Sequence, residues 1–470
     1  MSWREALFPA RMERIAVVAP AARLRDVLAA MAVAGVVQPV RLAGRTGGDA
    51  AGALARVSGR SELAGAANAP ALSAASPDIA ELERAGKLAE LAGEAELQTV
   101  AASAGRRGRI AAVAGWSPRS AVPALAARLS ALGGAVTVRP VSAWIAPPTL
   151  LPATGPSVAF QPLVDTYGIV PYADFNPSIF SGIAYVVMFG MMFGDAGHGA
   201  LLLLAGVAMW GSRHGWIARF RALAPFVIGA GITSTAFGFA YGDAFGPTGL
   251  VPTLWLAPLG APLTLMAAAI AGGAALLAIS YVLGAVNRWR EAGFWAALFA
   301  LPGLAGIALY AGLALAGLGF FLHRSDIATG GISVAAIGLV LVFIGLYGKA
   351  GGGPQGAIEA LIELFDGVIG IGTNTISFTR IAAFGLTHAA LGGIIWSGTT
   401  ALWERGPLGW IAASVLFLVG NALTFALEAL VAAIQALRLE YYEMFSRIFV
   451  AEGRRFKPWR VPMIANKESP

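Results

Sequence analysis

The residues able to do chemistry in this chain lie on long apolar stretches. Residues 357–398, AIEALIELFDGVIGIGTNTISFTRIAAFGLTHAALGGIIWSG, carry Glu359, Glu363 and Asp366 early, Arg380 in the middle and His388 beyond. The stretch lacks proline and reads as one unbroken helix, far longer than the roughly 20 residues that cross a bilayer. A charge at the centre of such a segment is costly and marks a functional site by default. Arginine keeps its proton under ordinary conditions, so Arg380 needs either an anion or a water-filled cavity. On a helix, Asp366 falls about 40° from Arg380 and roughly 21 Å along the axis, Thr373 two turns away, and His388 two turns beyond on a neighbouring face. Polar groups on both sides of a fixed cation suit two aqueous half-pathways that approach Arg380 from opposite surfaces without joining.

A second stretch, FALEALVAAIQALRLEYYEMF at 425–445, embeds Glu428, Gln435 and Arg438, with Glu440 and Glu443 following. Two long apolar helices, each bearing an arginine and a carboxylate, suit a pathway through a membrane. The residues alone leave two other readings open. One is a scaffold in which Arg380 and Glu428 merely pair. The other is a stand-alone secondary transporter with a substrate site centred on Arg380, which would ordinarily show internal repeats and broken helices; no repeat is present.

Asp195 and His198 in MFGMMFGDAGHG, residues 188–199, are read structurally. Asp195 caps a helix and the glycines permit close helix contact. One histidine and one aspartate are too few for a metal site, and neither metal nor cofactor is expected. Asp243, in FGFAYGDAFG at 237–246, is likewise placed at a helix end beside a small-residue packing surface. Gly348-Lys349-Ala350 lacks the pattern of a phosphate-binding loop, so the chain has no nucleotide site of its own.

The elements that must hold these residues are mostly membrane helices. Of 470 residues 57 % are hydrophobic and only 13 % charged, and the mean hydropathy is +0.70, a membrane composition. The absence of cysteine excludes disulfides and thiolate metal sites. A net charge of +7 could suit nucleic acid, but no basic-aromatic patch accompanies it; basic residues fit cytoplasmic loops better. The N-terminus carries charges in place of a long apolar core, against a cleaved signal peptide.

Four parts are expected. Residues 1–137 form a small cytoplasmic α+β domain of two lobes, with strands at 12–19, 36–42, 109–114 and 135–140 and a short helical hairpin over 77–98. Residues 138–177 form a Pro-rich linker too rich in proline for a helix. Residues 178–450 form an all-α membrane domain of about eight helices, the last two long and tilted, and 451–470 a basic cytoplasmic tail. The eight spans begin at Ile179, Gly197, Ala222, Leu263, Phe294, Ile332, Ala357 and Leu408. Lys and Arg fall in alternate loops, which places both termini in the cytoplasm when 179–212 is a hairpin.

Four ordered motifs resemble the membrane stator subunit of rotary V/A-type ATPases, called subunit a in V-type enzymes and subunit I in archaeal and bacterial ones. They are PSIFSGIAYVVMFGMMFGDAGHG at 177–199, FGFAYGDAFG at 237–246, NTISFTRIAAFGLTHAAL at 374–391 and LEALVAAIQALRLEYYEMFSRIFVAEGRRFKPW at 427–459. GWSP at 115–118, PPTLLP at 147–152 and LVDTYGIVPYADFNP at 163–177 match more weakly. The resemblance implies a stator facing a rotating proteolipid ring. It places the family's essential arginine on Arg380 and its second arginine on Arg438, and half-channel positions on Asp366, Ser377, His388 and Glu428. It implies peripheral stalk subunits, soluble ATPase subunits, a central-stalk cap subunit and the lipid bilayer as partners, in a prokaryotic plasma membrane. The N-terminal part departs from it, being about half the family's usual length.

Overall fold

The computed structural model describes residues 8–40, 48–58, 69–73, 75–140, 145–151, 157–213 and 215–464. Parts of the expected strand at 36–42, of the linker (including Pro152 and Pro156) and of the tail lie outside the described residues. The chain divides into two units, one of residues 9–151 with 453 onward, the other of residues 152–452 with Phe8.

In the first unit the apolar alternation of MERIAVVAP builds strand β1, Met12–Pro20, which buries Ile15, Val17 and Ala19. Next come α1 (Leu24–Ala34), β2 (Gln38–Pro39), α2 (Gly48–Ser58), α3 (Ile79–Arg84), α4 (Leu88–Ala102), β3 (Gly105–Arg107), β4 (Ile110–Pro118), α5 (Val122–Ser130) and β5 (Ala135–Arg139). The sequence separates two lobes, whereas their strands form a single antiparallel sheet in the order β2-β4-β1-β5, with β3 also on β4. β1 and β4 pair along their whole length, Met12 with Pro118 through Pro20 with Ile110. Either lobe's strands alone would make a ribbon of marginal stability, and pairing them covers one larger core. That core takes Val27, Leu28 and Met31 from α1, Leu97 and Val100 from α4, and Leu125 and Leu129 from α5.

Residues 453–464 belong to this unit rather than trailing from it. The Trp459 amide donates to the Val37 carbonyl at 2.8 Å, and Ile464 and Leu72 exchange bonds with their neighbours across a short parallel bridge. Trp459 and Val461 lie in the core, which accounts for apolar residues in an otherwise basic segment.

The second unit is helical. It runs α6 (Ser157–Tyr167), α7 (Ser178–Met192), α8 (Ala196–Gly211), α9 (Ala224–Tyr241), α10 (Pro262–Ala292), α11 (Phe294–Phe299), α12 (Leu304–Phe321), α13 (Ser325–Lys349), α14 (Gly353–Ser377), α15 (Thr379–Trp403), α16 (Pro407–Leu439), a π-helical turn Glu440–Phe445, and α17 (Ser446–Ile448). Helix α6 contradicts the expectation that prolines keep 138–177 free of helix. It contains Pro162, and tertiary packing offsets the lost hydrogen bond. Phe160 meets Phe226 edge-on at 4.9 Å, and Tyr167 packs among Tyr441, Phe445 and Phe449.

Six helical runs among the described residues are long and apolar enough to cross a membrane: Trp216–Tyr241, Pro262–Ala292, Phe294–Phe321, Ser325–Lys349, Gly353–Trp403 and Pro407–Ile448. The other two of the eight expected spans are α7 and α8, apolar but shorter. They are about 22 and 24 Å long, against roughly 30 Å of hydrocarbon. After the turn at residues 193–195, α8 and α7 each pack against α9, whose Ile228 and Thr233 close on Gly206 and Gly190.

Candidate functional site

The helix expected to be continuous from 357 to 398 is interrupted at Phe378, two residues before Arg380. No proline or glycine lies at the break; tertiary packing and local hydroxyls make it. Phe378 is fully buried in a seat left by Gly273 of α10, where a Cβ would come within 2.1 Å of the ring. The backbone tightens into a 3₁₀-like turn, with Phe378 N–H donating to Thr375 O at 3.3 Å and Ile381 N–H to Phe378 O at 3.0 Å. Thr375 and Thr379 hydroxyls donate to the Ile371 and Ile376 carbonyls, both at 2.8 Å, which favours bending.

Arg380 leaves this turn half-buried. Its Nη1 is enclosed without a hydrogen-bond partner, and Arg380 closes no ion pair among the described residues. Across from it, the π-helical turn after α16 directs Glu440 and Glu443 inward, and both are buried. The Ser377 hydroxyl and the charges of Arg380 and Arg438 act on the Glu443 carboxyl. Arg438 is exposed, and Gln435 keeps an unpartnered buried Oε1.

Two turns along α15 a second cluster forms. Asp195 is fully buried at the start of α8. It accepts backbone hydrogen bonds from His198 at 2.8 Å, Phe245 at 3.0 Å and Gly246 at 2.9 Å. Gly238 admits this turn, since a Cβ there would lie 2.0 Å from the Ala196 nitrogen. The Asp243 carbonyl accepts from Ala196 N–H at 2.8 Å, and its carboxyl Oδ2 is buried without a partner.

His388 reaches into this cluster from α15. Its Nδ1 is hydrogen-bonded to Glu428 of α16, and its Nε2 faces Asp195 Oδ2 at 3.9 Å. His198 Nδ1 stands 3.8 Å from Asp195 Oδ1. Phe193 lies against both imidazoles, at 5.7 Å from His198 and 4.9 Å from His388.

The fold thus brings together Arg380, Ser377 and Arg438 around Glu443, and His388 with Glu428 around Asp195. Glu428 is bonded to His388 and not to Arg380. Asp366 joins neither group: it is exposed on α14, on one open face with Glu359 and Glu363. Sequence reasoning noted Glu443 after Arg438 without giving it a site role; in a regular α-helix it would point away from Arg438. It also gave no part to Arg447, whose guanidinium lies over Tyr281 at 5.7 Å. Its signal was an arginine among the aromatic and aliphatic residues of MFSRIFV.

Comparison with known sequences follows this geometry. The model of the V-type ATPase 116kDa subunit family matches residues 99–249 and 356–461, more than half of the chain and both clusters. The A-type ATP synthase subunit I of Halobacterium salinarum is 28 % identical over 385 residues, covering 64 % of this chain and 49 % of its own. The protein of that name from Pyrococcus horikoshii is 27 % identical over 308 residues, covering 64 % and 45 %. The one from Methanocaldococcus jannaschii is 25 % identical over 352 residues, covering 66 % and 48 %. The chain spans about half the length of these curated relatives.

Proposed function

The chain belongs to the V-type ATPase 116kDa subunit family, and from that premise we propose that it is the membrane-embedded stator of a rotary ATPase, carrying protons past a proteolipid ring. The observation that carries this reading is Arg380: a permanent cation, half-buried at a helix break, with one nitrogen enclosed and unbonded and no ion pair among the described residues. Its counter-charge is then a carboxylate that arrives on another subunit. An opposite charge within several ångströms favours the ionised carboxylate, so each ring carboxylate gives up its proton as it meets Arg380. Once past, it is reloaded from the other side and travels through lipid neutral. The same fixed cation repels protons and keeps the two routes from joining.

The polar residues on either side of Arg380 supply the routes in this reading. The acidic face of α14, with Glu359, Glu363 and Asp366, opens one, and His388, Glu428, Asp195 and Asp243 line the other. Arg438 and Ser377 orient Glu443 beside the cation. The short helices α7 and α8 count as two crossings, giving eight, with both termini in the cytoplasm. The first unit then meets the peripheral stalks, and ATP is hydrolysed or made by the soluble subunits of the same complex.

Arg380→Ala and Arg380→Lys each abolish ATP-driven acidification of reconstituted vesicles while the complex stays assembled. Normal pumping with either variant contradicts the mechanism. The break at Phe378 favours one other reading, since transporters place broken helices at their substrate sites. A transporter purifies alone, whereas the stator co-purifies with a proteolipid ring and ATPase subunits.

A further inference from the structure

We propose that Asp195, His198 and His388 form a binding site for a single transition-metal cation of the Zn²⁺ type. One oxygen or nitrogen from each lies within 4.8 Å of the others, and all three residues are buried. No contiguous stretch of sequence holds these ligands; α15 brings the third to the α7–α8 turn.

His198 is the observation that points to a ligand. It is 2 % exposed, neither ring nitrogen closes a hydrogen bond among the described residues although the Asn421 side chain lies beside it, and Nδ1 faces the Asp195 carboxylate. An imidazole buried without partners is costly, and a metal bond satisfies it.

His388 is oriented for the same task. Its Nδ1 is held by Glu428, which leaves Nε2 toward Asp195. A carboxylate that holds the far nitrogen of a ligating histidine fixes the ring and raises its basicity. Asp195 accepts three backbone hydrogen bonds, and a carboxylate offers about four acceptor positions, so one remains.

Two imidazoles and one carboxylate suit zinc, with water in the fourth tetrahedral position. Zinc bonds of about 2.0–2.2 Å set ligand atoms about 3.3 Å apart. The free acceptor position of Asp195 is on Oδ2, which His388 Nε2 faces at 3.9 Å, and the three ligand atoms, now within 4.8 Å of one another, draw together by side-chain rotation. Entry runs past Glu428, whose side chain keeps 15 % exposure while Asp195 is fully enclosed. Binding does not depend on the proposed function. Its consequence does: a cation bound here obstructs the route along His388 and Glu428, so zinc slows pumping.

The test is Co²⁺ titration of the full chain, purified through a histidine-free tag, followed by visible d–d absorption. One equivalent of Co²⁺ gives a tetrahedral-intensity band that Zn²⁺ abolishes. His198→Gln and His388→Gln each weaken Co²⁺ binding at least about tenfold, Glu428→Gln weakens it less, and His323→Gln leaves it unchanged. His198→Cys guards against misfolded variants: it keeps Co²⁺ and adds a near-ultraviolet thiolate charge-transfer band. No band in the unaltered chain, a band that survives His198→Gln, or Co²⁺ bound to His198→Cys without charge transfer overturns the site. Zinc that displaces Co²⁺ and leaves pumping intact keeps the site and contradicts the proton route instead.

Discussion

Arg380 and His388 stand two turns apart on one helix and are treated in opposite ways by the rest of the chain. His388 is enclosed, its Nδ1 bonded to Glu428 and its Nε2 faced by Asp195, so its own chain supplies the groups that hold its ring. Arg380 has Glu443 and Ser377 nearby but closes no ion pair among the described residues, and part of its guanidinium is enclosed unbonded. Buried charges are ordinarily paired, so an incomplete environment around a permanent cation signals an absent partner. The closed cluster shapes a route; the open one waits for another subunit.

The contrast is broken most severely at Arg380, where replacement by lysine or alanine is expected to lower ATP-driven acidification to background. Lysine fails because it is a compact charge without the planar fork of the guanidinium. Next is the break that presents Arg380. Phe378→Ala empties the seat against Gly273 and costs about 3–5 kcal/mol, read as a lower melting temperature with reduced pumping in the assembled complex.

A smaller effect sharpens the closed side. His388→Asn and Glu428→Gln each lower pumping severalfold. The double variant is no worse than the more severe single one, because residues in one hydrogen-bonded pair are not additive. Additive losses show that the two act separately.

The smallest effect is one of pH and lies outside the membrane helices. Asp174 is fully buried; burial, then the neighbouring Glu291, push its carboxyl up to about 8, against the pull of Arg288 and Arg290. The folded chain holds a proton there that the unfolded chain has lost above about pH 4. Its stabilising contribution is therefore complete below about pH 4 and is lost as pH rises to about 8. Asp174→Asn mimics the protonated form, so it raises the melting temperature by a few degrees at pH 8.5 and little at pH 5. An equal effect at both values contradicts that assignment.

The small α/β region, the helical remainder and the family were legible in the sequence, because strand alternation, long apolar runs and ordered motifs are local signals. What was not legible came from distant packing. Phe378 breaks a helix whose own residues favour continuity, because Gly273 seats its ring and hydroxyls compete for carbonyls. Pro162 sits inside α6 because Phe160 and Tyr167 find aromatic partners on other helices. Glu428 invited a pairing with Arg380 by charge, yet it meets His388, since the facing of two helices depends on packing. Glu443 enters the site because a π-helical turn adds a residue to the repeat, and nothing in EYYEMF announces it.

The central claim is that another chain faces Arg380, and the absence of cysteine makes it directly testable. Ile376 at the end of α14 and Ala383 on α15 flank Arg380 and are exposed, while Ile337 on α13 is equally exposed and distant in sequence. A single cysteine at each position is paired with one introduced beside the proteolipid carboxylate, and the assembled complex is oxidised. Disulfides need Cα atoms within about 7 Å. Ile376→Cys and Ala383→Cys are predicted to cross-link to the proteolipid and Ile337→Cys is not. Cross-linking at 376 and 383 no greater than at 337 would contradict the account.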